Sequence, residues 1–247
     1  MAAPPIPDTP IAGYCPKGQV RSWRIAPTHA LAAAVLCSAA FAVIAWAVDA
    51  GRTGAIDSAG LLLWRTGAEL RPAGPPWMLE AVRDVTALGG VLLRYTFAIA
   101  AVVALMFLRL RREAVLFVAT VLCGALVEFG MKAAVGRPRP LIVPHLTEAG
   151  GQSFPSGHAF NSAVVYIAMA LAFAAMSPRR PVRWTIIGAA IVLTLAIAFS
   201  RVWLGVHFPS DVTAGWLGGA GWAFLSSALL NRPAKAVAEN SEVMGRS

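Results

Sequence analysis

The sequence predicts an all-α integral membrane protein: a six-transmembrane-helix bundle with its active site at the outer membrane face. Composition, apolar runs and charge placement carry that prediction. The 247-residue chain is 57% hydrophobic and only 13% charged, with a mean hydropathy of +0.65. A soluble domain carries about 25% charged residues, so lipid is the solvent for much of this surface. About 18 apolar residues cross a hydrocarbon core of roughly 30 Å as a helix, and six apolar runs approach or exceed that length. They are Thr28–Val48, Leu88–Leu108, Ala114–Met131, Ala159–Met176, Trp184–Phe199 and Val212–Leu230. Backbone groups in lipid must be satisfied within their own segment, so these runs are helices and not strands.

Charge sets the topology. Arg21 and Arg24 precede the first run, and Arg109, Arg111 and Arg112 fill the turn between the second and third. Arg179, Arg180 and Arg183 fill the turn between the fourth and fifth, and Arg232 and Lys235 follow the sixth. All four clusters fall on one side, which the positive-inside rule makes cytoplasmic. The expected location is a cell membrane, the bacterial inner membrane, with multiple passes and both termini cytoplasmic. The net charge of +9 is thereby accounted for, and no nucleic-acid partner is expected. Cys15, Cys37 and Cys123 have neither metal-site spacing nor an even disulfide framework; Cys37 and Cys123 read as small buried hydrophobes. Small residues near Val48–Ala50 resemble a signal-peptidase site, but the first run is long for a signal peptide, and a retained anchor is expected.

Three segments follow. Residues 1–27 and 233–247 have no apolar period and read as disordered cytoplasmic tails, flanking a membrane domain at 28–232. Within that domain lies a long outside segment, 49–87. Its stretches Ile56–Leu70 and Trp77–Leu88 are apolar at helical spacing and separated by the breaker Pro72–Pro76. They read as short helices, lying in the membrane interface with Trp64 and Trp77 at headgroup depth or packed onto the bundle.

The remaining outside connections carry the chemistry. KAAVGRPRP, Lys132 to Pro140, places Lys132, Arg137 and Arg139 at the outer end of the third run. Basic residues at a boundary ordinarily snorkel, but the outer side disfavours them, and arginine forks match phosphate oxygens. Phe154-Pro155-Ser156-Gly157-His158 opens the fourth run. A helix N-terminus there offers free N–H groups to an anion, Gly157 permits close approach, and Ser156 adds a hydroxyl. Ser200-Arg201, five residues, His207, three residues and Asp211 form the last element. The four-residue separation lets Asp211 accept the His207 Nδ1–H and leave Nε2 free to attack, although Asp211 also suits a helix cap. Three strong cations, an anion-binding helix end, two histidines and a carboxylate suit phosphoryl transfer by positioning and charge neutralisation. Lys132, Arg139 and Arg201 then do what Mg²⁺ does elsewhere, and neither metal nor cofactor is expected.

These three motifs resemble the signatures of the type 2 phosphatidic acid phosphatase and vanadium haloperoxidase superfamily, matching every fixed position from Lys132 to Asp211. The resemblance implies a phosphohistidine at His207, oriented by Asp211. It implies that His158 protonates the leaving oxygen and then activates water. It further implies phosphate binding by Lys132, Arg139, Arg201, Ser156 and the Gly157 amide. Arg137 lies outside the pattern and reads either as a support to the site or as a headgroup contact.

Weaker candidates have plainer readings. Glu128 is an i,i+4 partner that holds Lys132. Arg94 reads as a snorkelling arginine or as a contact to a lipid phosphate, and His29 and His145 fit no motif. The leading expectation is a metal-independent phosphatase acting on a lipid phosphate or diphosphate, of undecaprenyl diphosphate or phosphatidic acid type, with a lipid A phosphate also open. The alternatives are a vanadium-dependent haloperoxidase, disfavoured by the membrane helices, a lipid phosphotransferase, and a catalytically silent lipid-binding protein. Oligomeric state leaves no trace in the sequence.

Overall fold

The structure, a computed structural model, describes residues 26–244, with side chains over residues 26–229. Residues 1–25 of the expected tail at 1–27, with Cys15, Arg21 and Arg24, lie outside the described residues, as do the side chains of Arg232 and Lys235.

The protein is mostly helical. Helix α1 (Pro27–Asp49) starts on a proline, whose fixed φ suits a first turn. Helix α2 (Gly54–Leu62) follows, then a minimal antiparallel hairpin, β1 (Arg65–Thr66) with β2 (Arg71–Pro72). Helix α3 (Pro76–Ala87) meets α4 (Val91–Phe107) at a 46° bend over Leu88–Gly90. Helix α5 (Arg111–Val135) is closed by Gly136 in the left-handed region, φ 64°. After a long loop, α6 (Gly157–Ser162), a π-helical turn (Ala163–Ile167) and α7 (Ala168–Ala174) form the next rod. Helices α8 (Arg180–Trp203) and α9 (Pro209–Met244) complete the fold.

Each of the six apolar runs lies within or largely within one of these rods. Four rods are long and apolar enough to cross a membrane: α1, α5, α6–α7 and α8. The bent pair α3–α4 makes a fifth if it counts as one span. The last expected run, 212–230, lies in α9, which is rich in glycine. A Cβ at Gly219 would lie 2.2 Å from the Phe160 carbonyl oxygen, and one at Gly215 would lie 2.7 Å from that of Ser156. Small residues thus let α9 approach α6 backbone to backbone, the usual device between membrane helices. Helix α1 packs along α9, with Cys37 3.2 Å from where a Gly221 Cβ would be.

Two boundaries differ from expectation. The run Ile56–Leu70 is not one helix: it stops at Leu62, because Arg65 turns inward and donates to the carbonyls of Trp64 and Trp203 at 3.1 and 2.9 Å. Helix α9 continues to Met244, past the expected boundary at 233, through a stretch rich in the helix formers Ala, Lys and Glu. The helices between α1 and α4 pack on the bundle: α2 lies against α9, α3 lies against α8, and Trp64 meets Phe199 edge-on at 5.1 Å. Trp77 is exposed.

Candidate active site

The ends of α5 and α8 and the starts of α6 and α9 meet at one end of the bundle, and the sequence-predicted residues converge there. Lys132, in the last turn of α5, donates to the Gln152 carbonyl at 2.9 Å and pairs with Glu128 at 3.4 Å, the i,i+4 contact its spacing predicts. Gly157 packs on that pair: a Cβ there would lie 2.8 Å from Glu128 Oε1. The start of α6 is tied to α9 by the Ser156 N–H, which donates to the Asp211 carbonyl at 3.0 Å.

His207 lies in the short connection between α8 and α9 and is 2% exposed. Arg139 Nη1 stands 3.1 Å from its Nε2 and donates to the Val206 carbonyl at 2.8 Å. A guanidinium has donors and no acceptor, so Nε2 accepts and the ring proton sits on Nδ1. On that side the expected direct Asp211 bond is long, 3.5 Å. Ser153 sits beside this pair: its Oγ is 3.3 Å from Nδ1 and donates its own proton to Asp211 Oδ2. Nδ1–H therefore faces both the serine oxygen and the carboxylate. Asp211, fully buried, also accepts from the Phe208 N–H at 3.0 Å. Burial lowers the His207 pKa to about 4, against the upward pull of Asp211; Arg139 and Arg201 push it further down. The ring is neutral at physiological pH, as a nucleophile must be.

The cationic wall is continuous. Arg139 is held by the carbonyls of Gly150 and Gly151 besides that of Val206. Arg201 is buried at the end of α8 and donates through Nη1 to Thr86 Oγ1 at 2.9 Å. Its Nε and the Ser156 hydroxyl are buried without a hydrogen-bond partner. Such orphaned donors are costly, and each is a donor that an anion entering the site could satisfy. His158, the second residue of α6, lies within electrostatic reach of Arg201, His207, Arg94 and Arg139. The Cβ that Gly89 lacks would sit 3.1 Å from its ring. Among the described residues no three His, Cys, Asp or Glu side chains cluster as metal ligands.

One sequence reading needs correction, and one left open is decided. Arg94 does not snorkel: it is 7% exposed and donates to the Gly89 carbonyl at 2.8 Å, because the bend between α3 and α4 turns that carbonyl inward. Of the two readings of Arg137, support to the site is the one the structure shows: its fork joins Asp211 Oδ1 at 2.6 Å and Asp57 Oδ2 at 2.7 Å. Sequence reasoning missed Ser153, Thr86 and Asp57. For Asp57 a signal existed, an acid one turn before Leu61 on the buried face of an apolar helix. Ser153 and Thr86 carry none. His145 contacts the Pro140 carbonyl at 2.7 Å and shapes the loop, and His29 lies exposed near the start of α1.

Fold and site define a class, a helical membrane enzyme built around a cationic anion cage and a buried histidine–carboxylate pair. The chain belongs to the PAP2 superfamily, whose model matches residues 112–234. It is 29% identical to phosphatidylglycerophosphatase B of Bacillus subtilis strain 168 over 71% of this chain and 84% of that relative. It is 35% identical to a lipid A 1-phosphatase of Rhizobium etli over 47% of this chain and 49% of that relative. Its fold resembles the crystal structure of a transmembrane PAP2-type phosphatidylglycerolphosphate phosphatase from Bacillus subtilis. The TM-score is 0.71 at 25% identity, over 81% of this chain and 96% of that one.

Proposed function

We propose that the protein is a lipid phosphate or lipid diphosphate phosphatase of a bacterial inner membrane, acting without a metal through a phosphohistidine. The carrying observation is the placing of the His207 ring: Arg139 at Nε2, and Ser153 and Asp211 at Nδ1, favour the tautomer with its lone pair on the nitrogen that faces the cations. Nε2 attacks phosphorus as the bond to the leaving oxygen breaks, and His158 supplies that oxygen's proton. Water, losing a proton to His158, then cleaves the P–N bond and releases inorganic phosphate. Lys132, Arg139, Arg201, Ser156 and the Gly157 N–H hold the equatorial oxygens, whose charge this cage neutralises.

The likeness to phosphatases named for phosphatidylglycerophosphate and lipid A supports a lipid substrate. Six spans are proposed, the fifth being α3–α4 and the sixth α9. The clusters at Arg109–Arg112 and Arg179–Arg183 lie at the helix ends opposite the site, which supports a site on the outer face. A substrate tail then stays in the bilayer while its phosphate reaches the cage. Phosphate release from a panel of phosphatidic acid, phosphatidylglycerophosphate, undecaprenyl diphosphate and lipid A, measured in detergent with EDTA, tests this reading. Activity in EDTA that is lost in His207→Ala supports it. A strict need for a divalent metal, or activity in His207→Ala, overturns it.

A further inference from the structure

Arg137 stands between two buried carboxylates. Nη1 donates to Asp211 Oδ1 at 2.6 Å and Nη2 to Asp57 Oδ2 at 2.7 Å. Asp57, 1% exposed on α2, also accepts from the Ser210 N–H at 2.9 Å and from its hydroxyl at 2.7 Å. The guanidinium reaches Ser210 Oγ at 2.8 Å and lies 4.2 Å over the Phe208 ring. Phe208, Ser210 and Asp211, which follow His207, are thus held by two residues outside the fixed motif positions, one of them from the segment between the first two runs.

The charges make this more than a brace. When Nε2 of His207 bonds phosphorus while Nδ1 keeps its proton, the ring becomes a cation and needs a counter-charge. A guanidinium bonded to Asp211 alone would cancel the carboxylate that faces that ring. Placing the cation between two carboxylates leaves one net negative charge, and in a buried site that balance weighs heavily. We infer that Arg137 and Asp57 are positioning residues of the reaction: Arg137 fixes the Asp211 carboxylate, and Asp57 restores the negative charge that Arg137 would otherwise cancel. The inference rests on His207 as the nucleophile. Neither residue touches the phosphate, so both act on turnover and not on binding.

The test compares Asp57→Asn with the double variant Asp57→Asn/Arg137→Gln in the full-length protein. Turnover of one lipid phosphate and thermal melting in detergent are measured, with wild type and His207→Ala alongside. Asp57→Asn should lower kcat by about 10- to 100-fold with KM within about threefold. The double variant removes both charges, returns full charge to Asp211, and should recover about tenfold or more of the lost kcat. A merely structural pair would instead give a double variant as slow as, or slower than, the single one. Unchanged kcat in Asp57→Asn, or no recovery in the double variant, overturns the inference. Should Asp57→Asn fail to give folded protein, Arg137→Lys decides: it keeps the charge but cannot bridge both carboxylates. A kcat loss of about tenfold at unchanged KM and melting supports the inference, and unchanged kcat overturns it. Activity in His207→Ala would instead sink the reaction scheme, so the two failures are told apart.

Discussion

Arg139 donates to Nε2 of His207 across 3.1 Å, so a cationic donor of the phosphate cage rests on the lone pair assigned to the attack. The same guanidinium is anchored by the carbonyls of Val206, Gly150 and Gly151. A phosphate arriving in the cage offers Nη1 a charged acceptor in place of the imidazole, which frees the lone pair as the substrate binds. Arg139→Lys keeps the charge and loses the fork. It should lower kcat/KM by about 10²-fold or more, measured on a lipid phosphate in detergent; an equally active lysine variant would show that charge alone suffices.

Asp211→Asn should lower kcat by about 10²–10⁴-fold, the scale seen where a catalytic histidine loses its orienting carboxylate. KM should stay within about threefold, because Asp211 is fully buried and its contacts are with His207, Ser153, Phe208 and Arg137. Steady-state kinetics separate the two parameters. A variant with normal turnover would remove Asp211 from the orientation of the ring.

The pH profile follows from the lowered His207 pKa of about 4. A base whose pKa falls stays neutral further into acid, so the acid limb that His207 sets on kcat/KM should lie near pH 4 and not near pH 6.5. Stability is lost on the acid side too, but earlier. Above pH 6.5 both states hold the ring neutral; as pH drops from about 6.5 to about 4 the unfolded chain takes a proton that the folded one refuses, and stability decreases through that window. Arg139→Gln removes one downward push and should move the acid limb up. A limb near 6.5 in the wild type would contradict the burial that sets this value.

Gly157→Ala should reduce activity because the new Cβ would lie 2.8 Å from Glu128 Oε1 and 3.6 Å from Lys132 Cε. The Glu128–Lys132 pair must shift, taking Lys132 off the Gln152 carbonyl. A loss of about tenfold or more in kcat/KM is expected, since small displacements of positioned groups are costly. Full activity would mean that Lys132 tolerates the displacement.

The parts of this site that were legible in the sequence share one property: their spacing is local. Lys132 to Arg139 spans the end of one helix and the loop after it, and Ser200 to Asp211 spans the turn between two. Both patterns survive in one dimension, as do the apolar runs that became helices. Asp57 and Arg137 meet across eighty positions, and Thr86 and Arg201 across 115, separations that no period or spacing encodes. Arg94 was misread because its acceptor, the Gly89 carbonyl, exists only once α3 and α4 bend. The hairpin after α2 was hidden for a similar reason: it is two residues a side, and the inward turn of Arg65 that forms it depends on the distant Trp203 carbonyl.

Trapping the intermediate tests the central claim most directly. The protein is mixed with a lipid phosphate labelled on its phosphorus, quenched in alkali, digested and mapped by mass spectrometry. A base-stable, acid-labile phosphoryl group on His207, missing from His207→Ala, is the expected result. Turnover by the wild type with no phosphoenzyme, or with the label on any other residue, would contradict His207 as the nucleophile.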